Sequence, residues 1–94
     1  MDTSDRYVIE FTSSKVEKNY LGLPQDEKRR IDRAFQELSK FPFRSPSRHI
    51  RKLRGKWAGH YRWDINSMRI IYTIDNVRKT VYIERIEHRK DAYR

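Results

Sequence analysis

Two runs of period-two residues, separated by only two positions, constrain this chain more than any other feature. Tyr61, Trp63 and Ile65 alternate with His60, Arg62 and Asp64; after Asn66-Ser67, Met68, Ile70, Tyr72 and Ile74 alternate with Arg69, Ile71 and Thr73. Successive side chains of a strand point to opposite faces, so each run has one apolar side and one more polar side. The short Asn66-Ser67 break makes the pair a hairpin. Asp75-Asn76 begins another turn, and Thr80 to Ile86 reads as the last strand. An opening strand is expected at Tyr7 to Phe11, with Tyr7, Ile9 and Phe11 on one side.

Two helical patterns lie between. Ser13 or Ser14 caps the first, where Ser14 and Glu17 have the spacing of a capping box and Val16 and Tyr20 share a face. Leu21-Gly22-Leu23-Pro24 ends it. Pro24 suits the first position of the next helix, where its missing N–H costs nothing, and Asp26 and Glu27 place negative charge at the positive end of the helix dipole. Ile31, Ala34, Phe35, Leu38 and Phe41 form an apolar stripe, and Phe41-Pro42 stops the helix. Phe43 to Arg48 reads as loop, as does Gly55 to Gly59 with Trp57 inside it. The expected class is α+β, with a helical hairpin laying one apolar face on a sheet. At 94 residues this is one domain, 1–94.

If the hairpin strands bury their apolar sides under the helices, Arg62 and Arg69 must project from the other face of the same sheet. Charge points the same way. Met1 to Phe43 holds eight basic and eight acidic residues, whereas Arg44 to Arg94 holds 14 and five, so the whole excess of +9 sits in the second half. Seven basic residues and no acid lie between Arg44 and Arg62, a segment that should attract polyanions. There is no cysteine and no long apolar run, so neither a disulfide framework nor a membrane span is expected, and a cytoplasmic protein is.

Arg62, Arg69 and Arg89 are the first candidate set for chemistry, because guanidinium groups donate in a planar fork to phosphate oxygens and stabilise charge that develops there. His88 and Tyr93 are the second. Cleavage of RNA by its own 2′-hydroxyl needs one group to take that proton and another to protonate the departing 5′-oxygen, and imidazole suits either task near neutrality. Tyr93 could donate a proton, orient the phosphate or stack on a base. Arg51, Lys52, Arg54 and Lys56 are candidate nucleic-acid contacts. His49, His60 and His88 lack zinc-site spacing, and there is no Gly-rich phosphate loop or acyl-transfer nucleophile, so no metal or cofactor is expected.

Taken together, the opening strand, Leu23-Pro24 before a basic helix, Leu38 to Pro42 at its end, Lys52-Leu53-Arg54-Gly55, Tyr61-Arg62, the Met68 to Ile74 strand and the His88-Arg89-Lys90-Asp91-Ala92-Tyr93 ending resemble the RelE/ParE superfamily of bacterial toxins. The resemblance spans almost the whole chain. It implies two N-terminal helices on a twisted, mostly antiparallel sheet of about four strands, and a toxin held inactive by a cognate antitoxin. RelE-like members cut messenger RNA in the ribosomal A site; ParE-like members instead inhibit DNA gyrase by binding. Arg69 matches the strand arginine that contacts phosphate in RelE-like nucleases, Arg89 the arginine after the last strand, Tyr93 the C-terminal tyrosine and His88 a histidine that several relatives use. Arg62 falls where the RelE prototype has the first of two strand lysines. Asp64 replaces the second, and a carboxylate there repels phosphate unless it acts as a base or pairs with Arg62. The resemblance therefore implies a ribosome-dependent messenger RNA endonuclease without a metal, with gyrase binding as the alternative.

Overall fold

The computed structural model describes residues 6–43 and 50–88. In chain order the elements are strand β1 (Val8–Phe11), helices α1 (Ser14–Leu21) and α2 (Gln25–Lys40), strand β2 (Ile50–Lys52), a 3-10 turn at Gly55–Trp57, and strands β3 (Tyr61–Ile65), β4 (Met68–Asp75) and β5 (Thr80–His88). The strands form one five-stranded sheet in the order β1-β5-β4-β3-β2. All neighbours are antiparallel except β1, which runs parallel to β5 at the edge. The expectation of a mostly antiparallel sheet under two helices holds, and the strand beyond the expected four is the three-residue edge strand β2.

Helix α2 supplies the apolar stripe of the sequence in shortened form. Ile31, Ala34 and Leu38 are buried against Trp63, Met68, Ile70, Tyr72, Val81, Ile83 and Ile86 of the three central strands. Burying one such aliphatic side chain stabilises the fold by roughly 1.5–3 kcal/mol, so this layer is the main favourable contribution. Phe41 lies just past the helix and is exposed, because its backbone has already left helical geometry. Helix α1 buries no residue fully and packs at the margin, where Tyr20 meets Phe11 and Phe35 at ring centroid separations of 5.3 and 5.7 Å. The Tyr20 hydroxyl donates to Asp32 on α2; burial first and this carboxylate second push the phenol up to about 12. Tyr72, in the core, donates to the Pro42 carbonyl at 3.2 Å, and burial pushes its phenol up still further.

Of the two serines expected to cap the first helix, Ser13 does so, while the second helix starts one residue later than expected. Ser13 caps α1 by accepting from the Val16 N–H at 3.3 Å, so Glu17 falls one position too late to complete a capping box. Pro24 occupies the cap of α2 rather than its first turn, and its extended ψ sets the direction in which the chain enters. At the hairpin tip, Asn66 takes φ 48°, the left-handed geometry that a two-residue turn requires and that asparagine tolerates.

The largest irregularity is in β5. Ile71 pairs with Arg85 but Tyr72 pairs with Ile83, so Glu84 is an extra residue opposite β4. Such a bulge turns two consecutive side chains away from strict alternation. It explains how Ile83 and Ile86, three apart, both reach the core.

Candidate functional site

Because side chains of paired residues share a face, the strand register sorts every candidate. Trp63 pairs with Ile70, and Ile70 with Ile86: these face the helices. On the opposite, outer face one row across the sheet contains Arg51, Arg62, Ile71 and Arg85, and the next contains Asp64, Arg69 and Glu87. The outward projection of Arg62 and Arg69 expected from the period of two is therefore observed. Arg51 and Arg62 stand directly opposite each other, an arrangement of like charges that destabilises a sheet unless an anion relieves it.

Within the described residues that anion is Asp64. The Arg69 Nε–H donates to Asp64 Oδ1 at 3.3 Å, and Arg62 Nε lies 3.1 Å from Asp64 Oδ2. One carboxylate thus bridges two guanidinium groups, each presenting its Nε edge. The two contacts differ in kind. Arg69 is only 7% exposed and hydrogen-bonded, whereas the Arg62 Nε–H is enclosed without an aligned acceptor and is held by charge alone. A buried donor left in that state is ready for a better-placed oxygen. Chemically, the cluster is a two-arginine cradle closed by an internal carboxylate, which a tetrahedral oxyanion can replace because it offers more acceptor oxygens in the same place.

His88 is not part of this face. It pairs with Met68, a core residue, and its Nε2 sits 3.0 and 3.2 Å from the two carboxylate oxygens of Glu27 on α2. His88, expected with Tyr93 to handle protons, is set by the alternation along β5 after the bulge on the helix side of the sheet, against Glu27. Arg89 and Tyr93 lie outside the described residues. Lys52, Arg54 and Lys56 are exposed along the β2 edge and the turn that follows, and Lys52, paired with Tyr61, belongs to the helix side. Arg51 alone of that group shares the Arg62 row.

Sequence reasoning gave no role to a cluster of five residues, Trp57, His60, Thr73, Glu84 and Arg85. Glu84 Oε2 accepts from the Thr73 hydroxyl at 3.2 Å and lies 3.4 Å from His60 Nε2; the Trp57 ring stands edge-on to His60 at 5.3 Å, with the Arg85 guanidinium 5.7 Å from its centre. Gly55 at φ 70° and Gly59 at φ 89° flank the turn that returns Trp57 to the sheet, and only glycine takes such angles readily. A signal for this cluster existed in the chain, since His60 has the same parity as Arg62 and the Ile83-Glu84-Arg85-Ile86 spacing breaks period two.

Comparisons with known proteins agree with this architecture. Residues 16–93 match the family model described as the ParE toxin of type II toxin–antitoxin systems. Toxin RelG of Mycobacterium tuberculosis is 32% identical over 88 residues, covering 94% of this chain and 97% of that protein. Among solved structures, the RelBE2 toxin–antitoxin complex of M. tuberculosis superposes with a TM-score of 0.75 at 29% identity, covering 89% of this chain and 99% of that one. The isolated Escherichia coli RelE toxin has the same fold, with a TM-score of 0.71 at 18% identity over 87% of this chain and 83% of its own. With a family model covering most of its length and a fold shared with RelE, the chain belongs to the RelE/ParE superfamily of type II toxin–antitoxin toxins.

Proposed function

We propose that this toxin is a ribosome-dependent messenger RNA endoribonuclease that inhibits translation in the cytoplasm, needs no metal or cofactor, and is held inactive by a cognate antitoxin. The carrying observation is the Arg62–Asp64–Arg69 cluster, with Arg51 opposed to Arg62, on the sheet face that the helices leave uncovered. In this reading a phosphodiester of the message displaces Asp64 from the cradle. Arg69 holds one non-bridging oxygen and Arg62 another, and both bonds strengthen as the phosphorus becomes five-coordinate and its oxygens gain charge. The 2′-hydroxyl oxygen attacks phosphorus and gives its proton to water, the bond to the 5′-oxygen breaks as that oxygen takes a proton from solvent, and a 2′,3′-cyclic phosphate remains. Arg89 and Tyr93 complete the phosphate contacts, as the family resemblance implies. Arg51, Lys52, Arg54 and Lys56 follow the backbone of ribosomal RNA.

Asp64 gives this cradle its resting state. With no substrate, the carboxylate sits between two cations that would otherwise repel each other and offsets one of their two charges, so the arginines are held together before RNA arrives. Primer extension on messages from cells expressing the toxin tests the proposal: cuts should fall within translated codons and disappear with Arg69→Ala. Intact messages in cells arrested by a folded toxin would overturn it.

A second reading, gyrase inhibition by binding, is favoured by the same Asp64, which lowers the positive charge of the cradle, and by the ParE family model. A supercoiling assay separates the two, since only this reading gives inhibition without any RNA cleavage.

A further inference from the structure

A second recess lies one strand away from the cradle, and we propose that it is a nucleobase site: the cleft between α1 and the end of β5 takes the base of a nucleotide flanking the scissile phosphate and selects one that carries an exocyclic amino group. This inference rests on the nuclease reading above and adds base selection to it.

The cleft exists because β1 is short. It pairs with β5 only from Thr80 to Ile83, and after Thr12 the chain turns into α1, so among the described residues no strand lies beside Glu84 to His88 on that edge. Helix α1 lies along the gap and is tied to it by Asn19, whose Nδ2–H donates to the Ile86 carbonyl at 3.0 Å. The space left, about 310 Å³, is lined by Ser13, Lys15 and Asn19 on one side and by Arg85 and Glu87 on the other. Small-molecule sites run from about 300 to 1,000 Å³, and the lower end of that range suits a single base. Register brings the recess to the cradle. Glu87, in its wall, is paired with Arg69, so one strand separates the two, roughly 5 Å of sheet. One nucleotide spans that interval with its phosphate on Arg69 and its base beyond β5.

The polar lining decides which base fits. Because the Ile86 carbonyl only accepts, the Asn19 amide nitrogen faces it and Asn19 Oδ1 is left as an acceptor. The half-buried Glu87 carboxylate makes no side-chain hydrogen bond or ion pair among the described residues and is a second acceptor. Two acceptors require donors. Adenine, cytosine and guanine each present an exocyclic amine, whereas uracil has a single N–H between two carbonyl oxygens that a carboxylate repels. Arg85 supplies the backbone contact. It shares the outer row of Arg62, and its guanidinium is held 5.7 Å from the centre of the Trp57 ring. The adjacent carboxylate, Glu84, is engaged by the Thr73 hydroxyl and His60, so Arg85 keeps its charge for the next phosphate of the message.

The test uses purified toxin and ribosomes programmed with short messages in which the base on either side of the cut is varied one at a time. At one of these two positions, wild-type toxin should cut a uracil message on the order of 10-fold more slowly than its adenine or cytosine counterpart. Glu87→Gln, whose amide both donates and accepts, should bring that ratio to within about threefold. Arg85→Ala should raise KM severalfold and equally for every base, because a phosphate contact carries no sequence information. In parallel, adenosine and uridine 3′-monophosphates are titrated into the toxin without ribosomes, and amide resonances of Ser13 to Asn19 and Glu84 to Glu87 should shift at lower concentration with the first. No base preference at either position, a preference that survives Glu87→Gln, or shifts confined to other parts of the sheet would overturn the base site while the nuclease reading stands. Messages left uncut whatever their sequence overturn the nuclease reading, and the monophosphate titration then decides the cleft by itself.

Discussion

The two faces of one sheet solve opposite problems. Toward the helices, β3, β4 and β5 present Trp63, Met68, Ile70, Tyr72, Val81, Ile83 and Ile86, with His88 against Glu27 at the margin. Away from them the same strands present Arg62, Arg69 and Arg85 interleaved with Asp64, Glu84 and Glu87. The first face is stabilised by removing apolar area from water, and any residue of suitable volume serves. On the second, particular charges meet at particular spacings and contribute little to holding the fold. Stability and chemistry are therefore separated by the period of two. A substitution on one face should change the property of the other less than its own.

The sharpest way to break this comparison is in the core. Leu38→Ala, which empties space under the sheet centre, should cost about 3 kcal/mol of unfolding free energy by chemical denaturation. Surviving molecules should keep whatever activity the outer face has. Arg69→Ala should do the reverse: it removes one arm of the cradle and should reduce cleavage by roughly 100-fold, about 2.7 kcal/mol of transition-state stabilisation, with a much smaller loss of stability. Equal losses of stability in the two variants would show that Arg69 is structural.

Asp64→Asn probes the counter-ion. Leaving two guanidinium groups without their shared charge should lower stability by about 1–2 kcal/mol while raising retention on an immobilised phosphate polyanion. Unchanged retention would mean that the carboxylate does not compete with phosphate. The smallest expected effect lies at the helix margin. The Tyr20 phenol holds its proton to about 12 in the folded chain but releases it near the ordinary tyrosine value of 10.0 when unfolded. The folded state therefore binds more protons between these values, so this contribution is fully present below pH 10 and is lost as pH rises through about 12. Tyr20→Phe should flatten the fall of Tm over that window. Tyr72, raised in the same direction, remains in both proteins, so the difference isolates Tyr20.

Much of the fold was legible because local periodicity carries it. The β3–β4 hairpin, the α2 stripe and the outward parity of Arg62 and Arg69 all follow from spacings within a few residues. Errors fell where a boundary or register depends on distant partners. The Ser14–Glu17 capping box does not form because Ser13 is the cap, β2 is too short to show a period, and β5 continues through His88 instead of ending at Ile86.

What the amino-acid order determined by itself was the alternation: which residues of each strand lie together and which lie opposite, because the Cβ direction reverses at every residue of an extended chain. It could not determine how separate strands align. Only the assembled sheet set Asp64 between two arginines, turned His88 toward Glu27, and spent one residue of β5 on a bulge that delivers Glu84 to His60. Those outcomes depend on register: the three-residue spacing of Ile83 and Ile86 signals an irregularity, but where it falls opposite β4 is decided by the packing of both residues under the helices, a tertiary contact.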